Sequence, residues 1–426
     1  MNLLVLFGSL LLCVSLSIPI GFSIAIATTL AFLLFTDTPL TIIAQTGTTG
    51  LDSFPMMAIP LFILSGIVMT KGGVARRLVN LAQAIVGHVT GGLGMVMTLS
   101  CMFFGSISGS APATVSAIGG MMLPEMEKKG YPIEFSSSLA AAAGSIGLII
   151  PPSIAFVVFG VATNTSIGDL FIAAIIPGVL MTIALCIFCF IIAKKRNYPK
   201  AEHIPLKKVP MFIWDAKWAI LAPVIILGGI YSGFFTPTEA AAVACVYSII
   251  IGFFVHKELN FKGLYDALRE AMVLNGIILF MLGLATGFAR YLSLAQVPTK
   301  LTGLITNITD NPFLILLIIN VMLLLLGMIL DNIPIIIILA PMLMPIVVGT
   351  VGMNPIHFGV VMVLNTTIGL CTPPYGPNVF IACSIAGVKM EKIIKTLLLF
   401  ILALIIVLAI VTYVPSVSLV LVGGMA

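Results

Sequence analysis

Apolar runs of membrane-spanning length follow one another along almost the whole chain, with short polar segments between them. Clear examples lie at 170–193, 313–330 and 393–414, and a helix needs about 20 such residues to cross a bilayer. The first run, at 1–21, has neither a basic start nor a small-residue cleavage site, which predicts a spanning helix and not a removable signal peptide. The pattern predicts an all-α polytopic membrane protein.

Composition agrees with this pattern. Of the 426 residues, 60% are hydrophobic and 8% are charged, whereas a soluble domain carries about 25% charged residues. The seven cysteines lie within or at the ends of apolar runs and form no disulfide framework. The net charge of +5 indicates no nucleic acid partner, because basic residues in membrane proteins mainly set orientation. The expected surroundings are a lipid bilayer.

A weak internal repeat relates the two halves of the chain. Its coinciding residues, at an offset of 222 positions, are glycine and proline: Gly105 with Gly327, Pro112 with Pro334, and Pro151-Pro152 with Pro373-Pro374. These residue types decide where a helix breaks. We therefore predict a first repeat at 1–197, a cytoplasmic linker at 198–214 and a second repeat at 215–426.

Equivalent loops of the two repeats differ in charge. Loop 125–134 contains Lys128 and Lys129, whereas its counterpart at 347–356 contains no charged residue. Placing the basic loop of each such pair in the cytoplasm leaves only Arg290 and Lys300 outside. This assignment puts the N-terminus in the periplasm and gives the repeats opposite orientations. Inverted repeats are common in secondary transporters.

Two segments are predicted to be re-entrant hairpins. The apolar stretch at about 91–124 is long enough to cross twice, yet basic loops flank it on both sides. It therefore enters from and returns to the cytoplasm, with its tip at 105–112. The equivalent stretch at about 313–346 has its tip at 327–334 and enters from the opposite face.

Two further helices are predicted to be discontinuous. They lie at about 135–163 and 357–385, and each contains a glycine followed by two adjacent prolines. Proline removes a backbone donor and clashes with the preceding turn. Irregular backbone at membrane depth is tolerated where it lines a cavity or finds partners. The freed carbonyl groups suit Na⁺, and the N–H groups at half-helix starts suit an anionic substrate.

Asp331 is the acid placed deepest within an apolar segment. A carboxylate at such depth is expensive, which favours a functional role. The alternative is that it caps the half-helix that begins near Pro334. The sequence leaves both interpretations open.

The motifs at these breaks resemble the large membrane subunit of tripartite ATP-independent periplasmic (TRAP) transporters. The likeness includes "FGSISGSAPATVSAIGGMMLPEM", "AAAGSIGLIIPPSIAFVVFG", "DNIP" and "TPPYGPN", and it runs essentially from end to end. It implies an elevator-type fold, with a scaffold and a moving transport domain, in the bacterial inner membrane. It also implies Na⁺-coupled uptake of an organic acid with two partners, a separate small four-helix membrane subunit and a periplasmic substrate-binding protein.

The resemblance also implies binding residues, with two or more Na⁺ ions and no organic cofactor. One Na⁺ site would use Ser108, Ser110, Gly147 and Pro151, and a second would use Gly327, Thr366, Gly369 and Thr372. Substrate would lie between the tips, near Ser108, Ser110, Ser153 and Asp331. Family members carry sialic acid, C4-dicarboxylates and other carboxylates. No intramembrane pair of basic residues is present to clamp two carboxylates, so we expect sialic acid before a C4-dicarboxylate.

Other function classes are less consistent with the sequence. An intramembrane serine protease would need a base beside its nucleophile, and none of His88, His203, His256 and His357 lies deep in a plausible catalytic helix. We therefore predict no enzymatic activity and no catalytic residue. No P-loop is present for ATP-driven transport. A channel remains an alternative, since opposed hairpins also occur in channels.

Overall fold

The computed structural model describes residues 2–199 and 209–423, and in these ranges the chain forms helices and no strand. Most of the predicted linker at 198–214, with His203, lies outside the described residues. The helices of the first half are α1 (Asn2–Ser15), α2 (Ile20–Phe35), α3 (Thr41–Leu51), α4 (Ala58–Lys71), α5 (Val74–Val86), α6 (Gly92–Ser108), α7 (Ala111–Thr114), α8 (Gly120–Lys128), α9 (Ile133–Gly144), α10 (Ile146–Ile149), α11 (Ile154–Thr163) and α12 (Ile167–Arg196). Those of the second half are α13 (Val209–Tyr231), α14 (Pro237–Ile250), α15 (Phe261–Leu294), α16 (Val297–Ile308), α17 (Pro312–Gly327), α18 (Asn332–Met344), α19 (Pro355–Gly369), α20 (Pro377–Ala386), α21 (Met390–Tyr413) and α22 (Ser416–Leu419).

The described residues contain seven helices that are long and apolar enough to cross a membrane. An eighth span is obtained if Ile133–Ile149 and Ile154–Thr163, which meet at a bend of 46°, are counted as one broken span. The prediction of an all-α polytopic membrane protein is confirmed. The first apolar run is shorter than expected, because α1 ends at Ser15 and its 14 residues cover about 21 Å.

The helices are interrupted at all four predicted positions. The chain passes from α6 to α7 at the first tip, from α10 to α11 at the first break, from α17 to α18 at the second tip and from α19 to α20 at the second break. Both Pro-Pro pairs carry a cis peptide bond. The bounds of the two repeats and their opposite orientations stay predictions.

The helices pack in two sets. In one set, α4 packs against α14 and α15. In the same set, α2 and α3 pack against α15, and α1 packs against α2. In the other set, the tips and broken helices pack crosswise between the halves, α11 against α18 and α20 against α9, with α12 and α21 beside them. The sets meet where α15 contacts α18 and α4 contacts α6. The second tip therefore lies at the boundary between the two sets.

A charged cluster joins the turn after α4 to the loop before α15. Arg76 and Arg77 of α5 each donate to Glu258 Oε1 at 2.8 Å. Arg77 Nε also lies 3.5 Å from Asp215 Oδ1 on α13. The ring of His256 is hydrogen-bonded through Nδ1 to the carbonyl oxygen of Gly72 at 2.8 Å. The cluster fixes α5 against the helices of the second half.

Candidate functional site

The first hairpin tip touches the first break main chain to main chain. A Cβ atom on Gly105 would lie 2.5 Å from Gly147 Cα, so neither position has room for a side chain. Gly109 at the tip has a φ of +60°, and its carbonyl accepts from the Ile154 N–H at 3.3 Å. The tip is thereby held against the start of α11.

Hydroxyl groups gather around this contact. Ser108 Oγ lies 3.1 Å from Thr114 Oγ1, which donates to the Ser110 carbonyl at 2.8 Å. That carbonyl oxygen would also lie 3.2 Å from a Cβ atom on Gly147. Ser153 Oγ donates to the Leu148 carbonyl, and the Ser153 side chain is fully buried. The structure thus brings Ser108, Ser110 and Gly147 together, beside a residue that the sequence did not single out, Thr114.

Pro151 lies in the same break, directly after α10 and Ile150. Because proline has no N–H, it provides no helical donor for the carbonyl of Gly147, four residues earlier. Pro151 and Pro152 are both buried. The first break is therefore closed to the surface of the protein.

The second tip repeats this contact at the equivalent positions. A Cβ atom on Gly369 would lie 2.6 Å from Gly327 Cα, and one on Gly327 would lie 3.8 Å from the Thr366 carbonyl oxygen. The Tyr375 N–H donates to the Met328 carbonyl at 3.2 Å. As at the first tip, a main-chain hydrogen bond joins the tip to the residues that follow the Pro-Pro pair.

Thr366 and Thr372 lie on either side of Gly369. Thr366 Oγ1 donates to the Met362 carbonyl at 3.0 Å, and Thr372 Oγ1 donates to the Ile368 carbonyl at 2.7 Å. The Thr372 N–H in turn donates to the Gly369 carbonyl at 2.9 Å. Gly327, Thr366, Gly369 and Thr372 therefore belong to one local group.

The residues around each of the two glycine contacts offer hydroxyl and main-chain carbonyl oxygens, which are the ligands that bind Na⁺ at interrupted membrane helices. In the described part of the chain, no cluster of three or more His, Cys, Asp or Glu side chains could hold a metal ion. Glycine at the contact lets carbonyl oxygens approach closely. The donor chemistry of the two groups fits Na⁺.

Asp331 both caps a half-helix and borders a cavity. Its Oδ1 accepts from the Asn332 N–H at 2.7 Å, so it is the N-cap of α18. It also lines a cavity of about 850 Å³, together with Ile329, Tyr375 and residues from the α1–α2 turn and α15. The capping interpretation is realised in the structure, and the cavity leaves room for a functional role as well.

Buried asparagines join the broken helices to their neighbours. Asn378 Nδ2 donates to Ser145 Oγ at 3.2 Å and to the Ala141 carbonyl at 3.3 Å, linking α20 to α9. Asn365 Nδ2 donates to Asn320 Oδ1 at 2.8 Å, linking α19 to α17. A buried amide is costly unless it is hydrogen-bonded. Their position within apolar runs was the signal by which Asn320 and Asn378 could have been singled out.

Comparison with known sequences gives matches along nearly the whole chain. The profile of the family "Tripartite ATP-independent periplasmic transporter, DctM component" matches residues 7–417. An isethionate TRAP transporter permease protein of Oleidesulfovibrio alaskensis is 42% identical over 420 residues, which are 98% of this chain and 66% of that longer protein. A C4-dicarboxylate TRAP transporter large permease protein of Pseudomonas aeruginosa is 42% identical over 370 residues, which are 87% of this chain and 86% of the relative.

Solved structures share the architecture. The crystal structure of the YdaH transporter of Alcanivorax borkumensis superposes with a TM-score of 0.65, covering 89% of this chain and 89% of that one. Sequence identity in this superposition is 16%. The likeness therefore extends to the fold of a membrane transporter.

Proposed function

Because the chain belongs to the DctM-component family of tripartite ATP-independent periplasmic transporters, as a large membrane subunit and not an enzyme, we propose that it carries out sodium-coupled secondary uptake of an organic acid. The observation that supports this most directly is the pair of glycine contacts, Gly105 with Gly147 and Gly327 with Gly369. They put two interrupted helices against two hairpin tips at equivalent positions of the chain. Such discontinuous backbone is where transporters of this kind bind ions and substrate.

In this proposal, the residues around the Gly105–Gly147 contact bind one Na⁺, and those around the Gly327–Gly369 contact bind another. Bound Na⁺ supplies positive charge at the two contacts and couples the uptake to the sodium gradient. Ser108, Ser110 and the carbonyl of Gly147 would coordinate the first ion. Thr366, Thr372 and the carbonyl of Gly369 would coordinate the second. A tip separated from its break would bind neither ion well.

The substrate lies between the two tips. Its anionic group faces the N-terminal end of the helical segment that begins with α7, at Ser110, where the helix dipole favours negative charge. Ser153 is fully buried and donates to the Leu148 carbonyl, so it supports the first break behind this site. Asp331 is at the second tip and accepts hydrogen bonds from hydroxyl or amide donors of the substrate. This arrangement favours a hydroxylated monoanion such as sialic acid. A C4-dicarboxylate is the second candidate, supported by the relative from Pseudomonas aeruginosa.

Family membership supports two partners, a small membrane subunit and a periplasmic binding protein that delivers the acid. It also supports an inner-membrane location, and the distribution of basic residues among the loops supports a periplasmic N-terminus. The set of helices that contains the tips would move as the transport domain, and the set built around α4, α14 and α15 would be the scaffold. The contact between α15 and α18 lies on this sliding boundary.

The test is uptake by the complete transporter, with its small subunit, in proteoliposomes. Labelled N-acetylneuraminate, isethionate and succinate are offered with and without an inward Na⁺ gradient and with and without the binding protein. We expect saturable uptake of one acid that requires both the gradient and the binding protein. Flux that rises linearly with concentration and ignores Na⁺ would overturn the proposal in favour of a channel.

A further inference from the structure

The cavity beside Asp331 lies between the two sets of helices. One wall comes from the α1–α2 turn and α15, including Pro19 and Met281, and the other comes from the second tip and second break. The polar side chains in its lining are those of Ser17, Asp331 and Tyr375. A cavity of about 850 Å³ with few polar groups in an apolar lining is typical of a small-molecule site.

Tyr375 projects from a fixed piece of backbone into this cavity. Its N–H donates to the Met328 carbonyl of the second tip at 3.2 Å, and 41% of the residue is exposed. Its equivalent in the first half, 222 positions earlier, is Ser153, which is 0% exposed and hydrogen-bonded to Leu148. The two breaks therefore differ, and the second is the one that opens onto a cavity.

We propose that Tyr375 is a specificity-determining residue that binds the end of the substrate remote from its anionic group. This deepens the proposed function and rests on it. The phenol hydroxyl both donates and accepts hydrogen bonds, whereas the Asp331 carboxylate only accepts. A substrate hydroxyl satisfies both groups at once, by donating to Asp331 and accepting from Tyr375. A methyl or methylene at the same place leaves both polar groups unpaired, which is unfavourable.

The predicted topology also indicates from which side of the membrane Tyr375 is accessible. With the N-terminus in the periplasm, α1 runs toward the cytoplasm, and its length of about 21 Å puts the α1–α2 turn on the cytoplasmic side of the membrane centre. The cavity that joins this turn to Tyr375 then opens toward the cytoplasm. Tyr375 is in this conformation a residue that the acid passes on release.

The experiment compares Tyr375→Phe and Tyr375→Ala with the wild type in the complete transporter, reconstituted with its small subunit and binding protein. The probes form three pairs that differ by one hydroxyl, N-acetylneuraminate with its 9-deoxy analogue, isethionate with ethanesulfonate and malate with succinate. We expect Tyr375→Phe to reduce the preference for the hydroxylated member of each pair about 5-fold, because one neutral hydrogen bond is lost. The change should be in KM and not in the maximal rate. Tyr375→Ala should lose more, since the ring surface goes as well. Tyr265→Phe, an exposed tyrosine outside the cavity, should match the wild type.

Failure of this inference is distinct from failure of the proposed function. A wild type that transports with a hydroxyl preference, and a Tyr375→Phe variant that keeps the same preference, would overturn the role of Tyr375 alone. A wild type that takes up none of the acids in the presence of its partners would overturn the proposed function.

A labelling measurement decides the position of Tyr375 without any transport. Tyr375→Cys, in a Cys186→Ser background because the other six cysteines are buried, is exposed to a membrane-impermeant maleimide. We expect rapid labelling in inside-out vesicles, and slower labelling when the transported acid is added. Labelling only from the periplasmic side, or labelling that no acid slows, would overturn the inference.

Discussion

Four glycines let the hairpin tips meet the broken helices main chain to main chain. At each contact a Cβ atom on either glycine would overlap, or come within 3.0 Å of, an atom of the opposite segment. Only hydrogen in place of a side chain permits this approach. Main-chain atoms of each tip therefore lie directly against main-chain atoms of its break.

Gly369→Ala is expected to weaken the dependence of uptake on Na⁺. The added methyl group would lie 2.6 Å from Gly327 Cα, and overpacking of this kind costs about 1–3 kcal/mol. The second tip must shift away from its break, so the half-saturating Na⁺ concentration should rise several-fold. Gly228→Ala, at a helical position with no atom within 4 Å, should be neutral or slightly stabilising. Unchanged Na⁺ affinity in Gly369→Ala would count against the second site.

Replacing Asp331 separates its two roles. Asp331→Asn keeps an oxygen that can cap α18 but removes the charge, whereas Asp331→Ala removes both and should destabilise the protein by about 1 kcal/mol. Both variants are expected to lose uptake while remaining folded, as judged by thermal unfolding in detergent and by proteoliposome transport. Asp310→Asn, at an exposed position before the second hairpin, is the matched control. Near-normal transport by either Asp331 variant would remove the residue from the substrate site.

Residue types that break helices could be read from the sequence, but their partners could not. A glycine or a Pro-Pro pair interrupts a helix locally, so the breaks were predictable at both halves. Thr114, Asn378 and Tyr375 were missed because their importance depends on which distant segment each one faces. Asn378, for example, donates to Ser145, which lies between α9 and α10 in the other half. The ion and substrate assignments themselves stay predictions.

The positions of helix breaks could be predicted from the sequence more readily than the lengths of uninterrupted helices. The polar pattern at 261–272 is typical of an amphipathic helix at the membrane boundary, and α15 continues from it unbroken over 34 residues from Phe261 to Leu294. No glycine–proline pair interrupts that stretch, and an interfacial helix can pass directly into a spanning one. By contrast, Ser17 with a φ of +61° and Pro19 separate α1 from α2. A single proline there was a weaker signal than the two Pro-Pro pairs.

The charged cluster at the start of α15 is expected to stabilise the packing of α5. Burial acts to raise the pKa of Glu258, but the hydrogen bond from Arg77 and the charges of Arg77 and Arg76 outweigh it, so the pKa lies below its ordinary value of 4.5. Glu258→Gln should lower the free energy of unfolding by about 1 kcal/mol near pH 7. Because the pKa of the folded state is lowered, this contribution is complete above the ordinary pKa and is lost as the pH falls through the folded value.

Thermal unfolding of the two proteins in detergent at several pH values checks this. The difference in melting temperature should be constant from pH 7 to pH 8, where the neighbouring His256 is neutral because burial lowers its pKa, and it should shrink below about pH 4. Glu270→Gln, whose carboxylate is 53% exposed and 3.2 Å from Lys71, should change stability by less than about 0.5 kcal/mol. A Glu258→Gln variant as stable as the wild type at pH 7 would show that the charge of Glu258 contributes nothing to stability.

At the scale of the whole molecule, the apolar surface of the long helices decides the environment of the protein. Long apolar helices and few charges confine it to the bilayer, and that class followed from composition alone. The crosswise packing of α11 on α18 and of α20 on α9 did not follow from composition, because it depends on how the halves face each other. This packing ties each break to the opposite half. The helix that follows the first break, α11, is therefore in direct contact with the helix that follows the second tip, α18.

Opposite orientation of the halves leads to a labelling prediction at equivalent positions. Glu127 follows the first hairpin, and Gly349 is the matching residue 222 positions later, and both are exposed. Glu127→Cys should react with an impermeant maleimide only in inside-out vesicles, and Gly349→Cys only in right-side-out vesicles. The fold should tolerate a cysteine at position 349, because a Cβ atom there meets no atom within 4 Å. A permeant maleimide should label both variants in both preparations. Reaction of both cysteines on the same face would mean that the hairpins enter from one side, and a site alternately reached from opposite faces could then not be built from these two tips.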